Sequence, residues 1–401
     1  MRDDVDAPSD RVSTRCVVQI SGFDPRGASF YHGLFSREAA KHAEKHGIDI
    51  QIGRRRRREN HWHEWTTHTN HAEHATSVNI RFLGWDDIIR SHWIRSRPAL
   101  FWKSCVTYFV FLKTGGLYRC FRMTWYPMVA LLFPALGLIA LYLILMLSLG
   151  AAFFALAMII LGLTGLKAAL AGGIGALTGA GSAHFISPHL KGGWLLRIFC
   201  FCRLLSEKPL PELEERLDGQ AADLLAFLIK EQPDELLVVA HSVGSLVAFP
   251  LLDRVLESES WQGRVSLLTL GECIPLTSFL QPEEDTFNTC LRRVALHPRL
   301  DWIDFSMPSD GACFALLDPV RATFNQSIIY PQPDLPKFLS ARFMEGYSNE
   351  RYIEFKRNRY LFHFLYFMSP DRPAGFDYLA ITLGDQRLAE RFRNRKNQAR
   401  N

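Results

Sequence analysis

The chain has eight cysteines but no Cys-x-x-Cys pair, and only Cys200 and Cys202 stand close together. A disulfide framework belongs to small secreted domains, and a 401-residue chain with this spacing does not suggest one. The cysteines read as reduced and structural. The N-terminus, "MRDDVDAPSDRVSTR", has no apolar h-region, so no cleavable signal peptide is expected. No His-Glu-x-x-His occurs, and no Gly-Lys-Ser/Thr follows the glycine-rich "AGGIGALTGAGS" at 171–182, so that stretch is not a phosphate loop. The longest absence is of charge: the 44 residues from Met123 through Leu166 contain no Asp, Glu, Lys or Arg.

One membrane-spanning helix needs about 20 apolar residues, so the uncharged run holds two. "SLGAA", Ser148 to Ala152, is the expected break. A first span then covers 125–147, with Trp125 and Tyr126 in the interfacial aromatic belt. A second starts near Ala151 and reaches Gly181. Gly175 and Gly179 form a Gly-x-x-x-Gly that lets two helices approach closely. Lys103, Lys113, Arg119 and Arg122 precede the hairpin, and Lys191, Arg197 and Arg203 follow it. The positive-inside rule therefore places both flanks in the cytoplasm. The expected location is integral membrane, the inner membrane in a bacterium. Residues 97–122, which mix aromatics with Arg and Lys, read either as an interfacial amphipathic segment or as two core helices joined at Gly115-Gly116.

Outside the hairpin, apolar strands alternate with helices. Strands are expected at 16–23, 48–53, 77–85, 234–242, 263–271, 300–310 and 376–384, and helices at 36–47, 211–232 and 243–258. Such alternation implies an α/β fold with a mostly parallel sheet covered on both faces. No linker stands out. The expected organisation is a polar tail (1–15), one discontinuous α/β domain (16–122 and 185–385), a hairpin insertion (123–184) and a basic tail (386–401) that frays.

"VVAHSVGS" (238–245) ends a buried strand and opens a helix. It approaches the nucleophile-elbow pattern G-x-S-x-G, with Ala240 in place of the first glycine and Gly244 kept. A nucleophilic Ser242 needs a base and an orienting acid, in the chain order serine, acid, histidine. Only His297 and His363 follow Ser242, and His297 comes too early. His363 is the expected base. Asp304 would be buried within a strand at a cost, whereas Asp310 stands at the strand's carboxyl end, where ligands bind in such sheets. Asp310 is the expected acid, with Asp304 and Asp318 in reserve. Oxyanion donors would be the amides of Val243 and of Phe23 in "SGFDPRG", with Asp24 the alternative to Phe23.

These residues resemble the α/β-hydrolase superfamily in its serine esterase and lipase-like branch. The resemblance covers roughly 16–85 and 205–385 and rests on "SGFDPRG", "AHSVGS", Asp310 and His363. The chain is also similar to bacterial membrane proteins that insert a hairpin into such a domain. The resemblance implies ester hydrolysis through Ser242, His363 and Asp310, with no cofactor and no catalytic metal. A lipid or other amphipathic ester is the expected substrate and membrane lipid the expected neighbour. Acyl transfer through the same triad and a catalytically inactive lipid- or protein-binding domain are the alternatives. A transporter subunit is disfavoured by the absence of charge in the spans before Lys167.

Three further clusters have plainer readings. "ENHWHEWTTHTNHAEH" (59–74) reads as an exposed hairpin tip rather than a metal site. "RRRRR" (54–58) reads as a solvated run, with anionic lipid fitting it better than nucleic acid. Asp86 and Asp87 suit the first turn of a helix. Nothing in the sequence sets an oligomeric state.

Overall fold

The computed structural model describes residues 11–71, 74–123, 125–187, 192–324 and 328–400. Nine strands form one sheet: β1 (Thr14–Ile20), β2 (Asp49–Ile52), β3 (Arg56–Arg57), β4 (Trp62–His71), β5 (His74–Leu83), β6 (Glu235–His241), β7 (Val265–Leu270), β8 (Leu300–Ser306) and β9 (Lys337–Ser340). Their order is β2-β4-β5-β1-β6-β7-β8-β9, with β3 on β4. From β5 to β9 the pairings are parallel. β4 runs antiparallel to β5, and β2 and β3 antiparallel to β4. The fold is therefore α/β with a mostly parallel, mixed sheet.

The helices up to the sheet centre are α1 (Ala28–His46), α2 (Asp86–Ser91), α3 (Arg97–Lys113), α4 (Gly116–Met123), α5 (Trp125–Ile159), α6 (Leu166–Ile186), α7 (Gly192–Glu207), α8 (Pro211–Glu231) and α9 (Gly244–Glu257). α8 shows why these segments fold as they do. Pro211 occupies its first position, where the missing N–H is harmless. Leu213, Leu217, Ala221, Leu224 and Leu228 recur on one buried stripe. On one face of the sheet, Val17, Val239, Leu268, Ile303 and Phe305 pack with Tyr31, Leu34 and Phe35 of α1 and with aromatics from 355–392. On the other face Phe249 of α9 meets the Trp302 ring edge-on.

Four expectations are corrected. The His-rich stretch is no exposed tip: most of it is β4, which buries Trp62, Trp65, Thr67 and Thr69 within the sheet, as tryptophans and β-branched threonines favour. Residues 376–384 are not a strand but contain a helix, Tyr378–Leu383, because the Asp377 carboxylate accepts from the Leu379 and Ala380 amides. The carbonyls of Ile381, Thr382 and Gly384 then accept from the buried Arg15 guanidinium. The basic tail does not fray. The Gln398 amide donates to the Phe338 carbonyl and the Lys337 ammonium to the carbonyls of Phe392 and Arg393, so the tail lies along β9.

The fourth correction concerns the hairpin. "SLGAA" lies inside α5, and the chain turns at 160–165, where Gly162 and Gly165 adopt φ of 60° and 55°. Left-handed backbone is open to glycine at little cost. Gly150 does not break the helix because it is a contact point: a Cβ there would lie 3.3 Å from the Gly172 carbonyl. Across the same seam, a Cβ on Gly175 or Gly179 would come within 2.3 or 2.2 Å of the Leu149 or Leu145 carbonyl oxygen, so the Gly-x-x-x-Gly is the packing face of α6. Leu131–Ile159 and Leu166–Ile186 are long and apolar enough to cross a membrane, and Leu147, Leu177 and Phe185 are exposed. The side chains of Trp125 and Tyr126 lie outside the described residues, as do 1–10 of the polar tail.

The chain divides into two compact units. One comprises 1–93, 110–126 and 202–401, and contains the sheet; the other comprises 94–109 and 127–201. In the second unit the Tyr108 hydroxyl donates to the Leu131 carbonyl and Arg197 to that of Ile94. α3 and α4 are separate helices that break at Gly115, which has φ 73°. Phe101, Trp102, Phe109 and Leu112 are exposed on α3.

Candidate active site

Parallel strands bring the loops after β1, β6, β7 and β8 to one edge of the sheet, and the candidate residues stand there. All seven residues of β6 are buried. The strand exits at Ser242, whose φ is 54°, a region that non-glycine residues rarely occupy. Its amide donates to the Leu270 carbonyl, and its carbonyl accepts from the Ser245 amide and hydroxyl. Val243 is already helical and α9 begins at Gly244. A Cβ on Gly244 would lie 2.6 Å from the Ser21 carbonyl oxygen. The close approach of helix to sheet is therefore at Gly244. Ala240 sits within β6, paired with Ile20 and Thr269. Gly22 abuts the serine from the neighbouring loop: a Cβ there would lie 3.0 Å from Ser242 Cβ.

Asp310 lies in the turn after β8, with its amide on the Met307 carbonyl. One carboxylate oxygen accepts from the Ala312 amide at 3.1 Å. The other accepts from His363 Nδ1 at 2.7 Å and from the Tyr366 hydroxyl at 3.3 Å. Burial alone would raise this carboxyl's pKa, but the His363 charge and these hydrogen bonds hold it below the usual range. An ionised carboxylate can only accept, so His363 Nδ1 is the donor in this bond.

His363 closes the helix Arg359–His363 and is buried. It is docked on the residue before the serine. His241 Nε2 donates to the His363 carbonyl at 2.9 Å, and the two rings lie 4.5 Å apart. Burial and the neighbouring His363 push the His241 pKa well down, so His241 is a neutral packing surface. His363 is thus hydrogen-bonded to Asp310 and packed on His241, the residue that precedes Ser242.

The reserve acids are engaged elsewhere. Asp304 is fully buried in β8, accepts from the Thr269 hydroxyl at 2.8 Å, and is pushed up to about 7, chiefly by burial. Asp318 caps the short helix Pro319–Thr323 and accepts from the Tyr330 hydroxyl. His297 lies before β8, at the opposite edge of the sheet, where its Nδ1 accepts from the Arg299 amide.

Of the oxyanion candidates, Val243 is buried and, among the described residues, its amide donates to no acceptor. Phe23 follows Gly22 beside Ser242, and its ring stacks on Trp93 at 5.5 Å. The Asp24 amide is taken by the Gly22 carbonyl at 2.8 Å, which removes Asp24 as the alternative donor. The Asp24 carboxylate instead organises the loop, accepting from the Arg26 amide and guanidinium and from Tyr31.

Sequence reasoning assigned His241 no chemistry, and in the structure it is the surface on which His363 packs; it missed Tyr366, which bonds Asp310. Tyr366 follows His363 by three residues, a helical spacing that was available as a signal. It also missed Cys273, within hydrogen-bonding reach of Ser242, and the buried Glu272 beside it, whose carboxyl burial and Asp304 push well up. Nothing local in "GECIP" marks either one. A cavity of about 750 Å³ is lined by Tyr330, Lys337, Arg395 and the reserve acid Asp318, and Ser242, Asp310 and His363 do not line it.

The remaining clusters fall on the sheet margin. Arg56 and Arg57 form β3, Arg58 pairs with Glu64 at 2.8 Å, and Arg55 bonds the His63 ring. Asp86 and Asp87 do begin α2, and Asp87 pairs with Arg216. No protein-family model matches the chain, and no curated protein or solved structure matches it either.

Proposed function

We propose that the chain is a membrane-anchored serine hydrolase of the α/β-hydrolase type, esterase- or lipase-like, acting on acyl esters. The observation that carries this reading is the juxtaposition of a positive-φ serine at a strand-to-helix turn with a buried, hydrogen-bonded His363–Asp310 pair docked on its neighbour, His241. In the proposed reaction His363 Nε2 takes the Ser242 proton as Oγ attacks the acyl carbon. Asp310 holds the tautomer and stabilises the imidazolium. The amides of Val243 and Phe23 receive the oxyanion. The imidazolium then protonates the leaving alcohol, and water activated by the same nitrogen releases the acid. Ser242 is 4% exposed and His363 1%, so the proposed chemistry would take place largely out of bulk water.

The two apolar helices support attachment to a membrane, and the basic flanks support a cytoplasmic sheet domain. An anchored site suits a lipid or other amphipathic ester. The test is hydrolysis of short- and long-chain p-nitrophenyl esters by detergent-solubilised protein. Turnover that disappears in Ser242→Ala and in His363→Ala supports the reading. Turnover unchanged in both, or none from folded wild type on any chain length, moves the inactive binding-domain reading to first place. Acyl transfer to an added alcohol in preference to water would make the same site a transferase.

A further inference from the structure

Away from Ser242, two imidazoles and a carboxylate converge. His42 and His46 lie one turn apart in the last turns of α1, and their ring centroids are 4.3 Å apart. His42 Nδ1 is 3.2 Å from Asp377 Oδ2. One ligand atom from each of the three residues lies within 4.8 Å of the others, the one such group of His, Cys, Asp or Glu among the described residues. We propose that His42, His46 and Asp377 form a zinc-class divalent metal site that staples α1 to the segment after His363.

Several features fit a metal. Ligands about 2.05 Å from a tetrahedral ion sit about 3.3 Å from one another, which the His42–Asp377 separation already matches. His46 is exposed, and all three ligand atoms already lie within 4.8 Å of one another. The other Asp377 oxygen is fixed by the Leu379 and Ala380 amides at 3.0 and 3.2 Å. Those bonds orient the carboxylate and leave Oδ2 to bind as a single ligand. A helix C-terminus favours a cation. Two imidazoles with one carboxylate suit zinc rather than calcium or magnesium. His42 and Asp377 are buried and His46 faces solvent, so the ion has an entry path and a fourth position for water. Arg391 lies near enough for its charge to act on Asp377, which tempers affinity. The other occupant of Oδ2 is the His42 proton alone, in an ordinary buried pair.

The experiment uses the full chain in detergent, purified without a polyhistidine tag and stripped with chelator. Zinc is titrated by calorimetry, and cobalt by its visible absorption. The expected result is one saturable equivalent per chain, a tetrahedral cobalt spectrum and a higher melting temperature with zinc. All three should be lost in His46→Ala, whose metal-free melting temperature should match wild type because His46 is exposed. Asp377→Asn, which keeps an oxygen for the helix cap, should weaken binding at least tenfold. Absence of saturable binding in wild type, or the same stoichiometry and spectrum in His46→Ala, would overturn the proposal.

Discussion

β6 and β7 leave the sheet in the same way with different residues. The Ser242 amide donates to the last residue of the next strand, Leu270, and the Gly271 amide follows Leu270 and donates to Phe305 in the strand after that. Both residues take a left-handed backbone, φ 54° and 57°. The exit geometry imposes that conformation. Glycine adopts it freely after β7, where a Cβ would also lie 2.9 Å from the Tyr366 ring. After β6 the chain places a serine there, although an L-residue costs about 1–2 kcal/mol in that region. A serine kept at one of two equivalent turns despite that cost fits the nucleophile proposed above.

Substitutions at the two exits should therefore separate chemistry from folding. The largest effect is expected on turnover. Ser242→Ala and His363→Ala should each lower ester hydrolysis on the order of 10⁴-fold or more, and Asp310→Asn about 10²–10⁴-fold by releasing the tautomer, all measured as kcat/KM. Next comes Gly271→Ala, which combines positive φ with the Tyr366 contact. It should lose about 2–4 kcal/mol in denaturant unfolding and reduce turnover as well, because Tyr366 also bonds Asp310. Ser242→Gly should move the other way in stability, gaining about 1 kcal/mol while losing activity. Equal stability losses at the two exits would break the comparison.

A smaller effect is expected from pH. Asp304 has a folded-state pKa of about 7, above the ordinary carboxylate value. The folded chain therefore holds a proton that the unfolded chain has released, and stability falls as pH rises from about 4 to about 7. Glu272 acts with the same sign. Asp304→Asn, which cannot ionise, should flatten that slope in unfolding measured between pH 5 and pH 8. An unchanged slope would place the effect elsewhere.

What the sequence made legible was set by local constraints. β6 carries a continuous apolar run from Leu236 to Ala240 and was readable as a buried strand. Asp310 was preferred to Asp304 because a carboxylate inside a strand is costly, and Asp304 is indeed the one with the raised pKa. His363 came from having so few histidines after Ser242. The missed features depend on partners distant in sequence. β4 is a strand because β5 and β2 pair with it, not because its histidines and threonines alternate cleanly. Tyr378–Leu383 is helical because of the Asp377 cap and the grip of Arg15 from 366 residues away. The hairpin turns at Gly162 and Gly165 rather than near Gly150 because Gly150 is needed for contact with Gly172. The kept glycine of the elbow motif, Gly244, makes a tight contact with the carbonyl of Ser21, just past β1.

The most direct test of the central claim is covalent. Detergent-solubilised wild type would be treated with a fluorophosphonate, digested, and the adduct located by mass spectrometry. The account expects a single adduct on Ser242, absent from Ser242→Gly and strongly slowed in His363→Ala. Folded wild type without an adduct, or with the adduct on another residue, would contradict it.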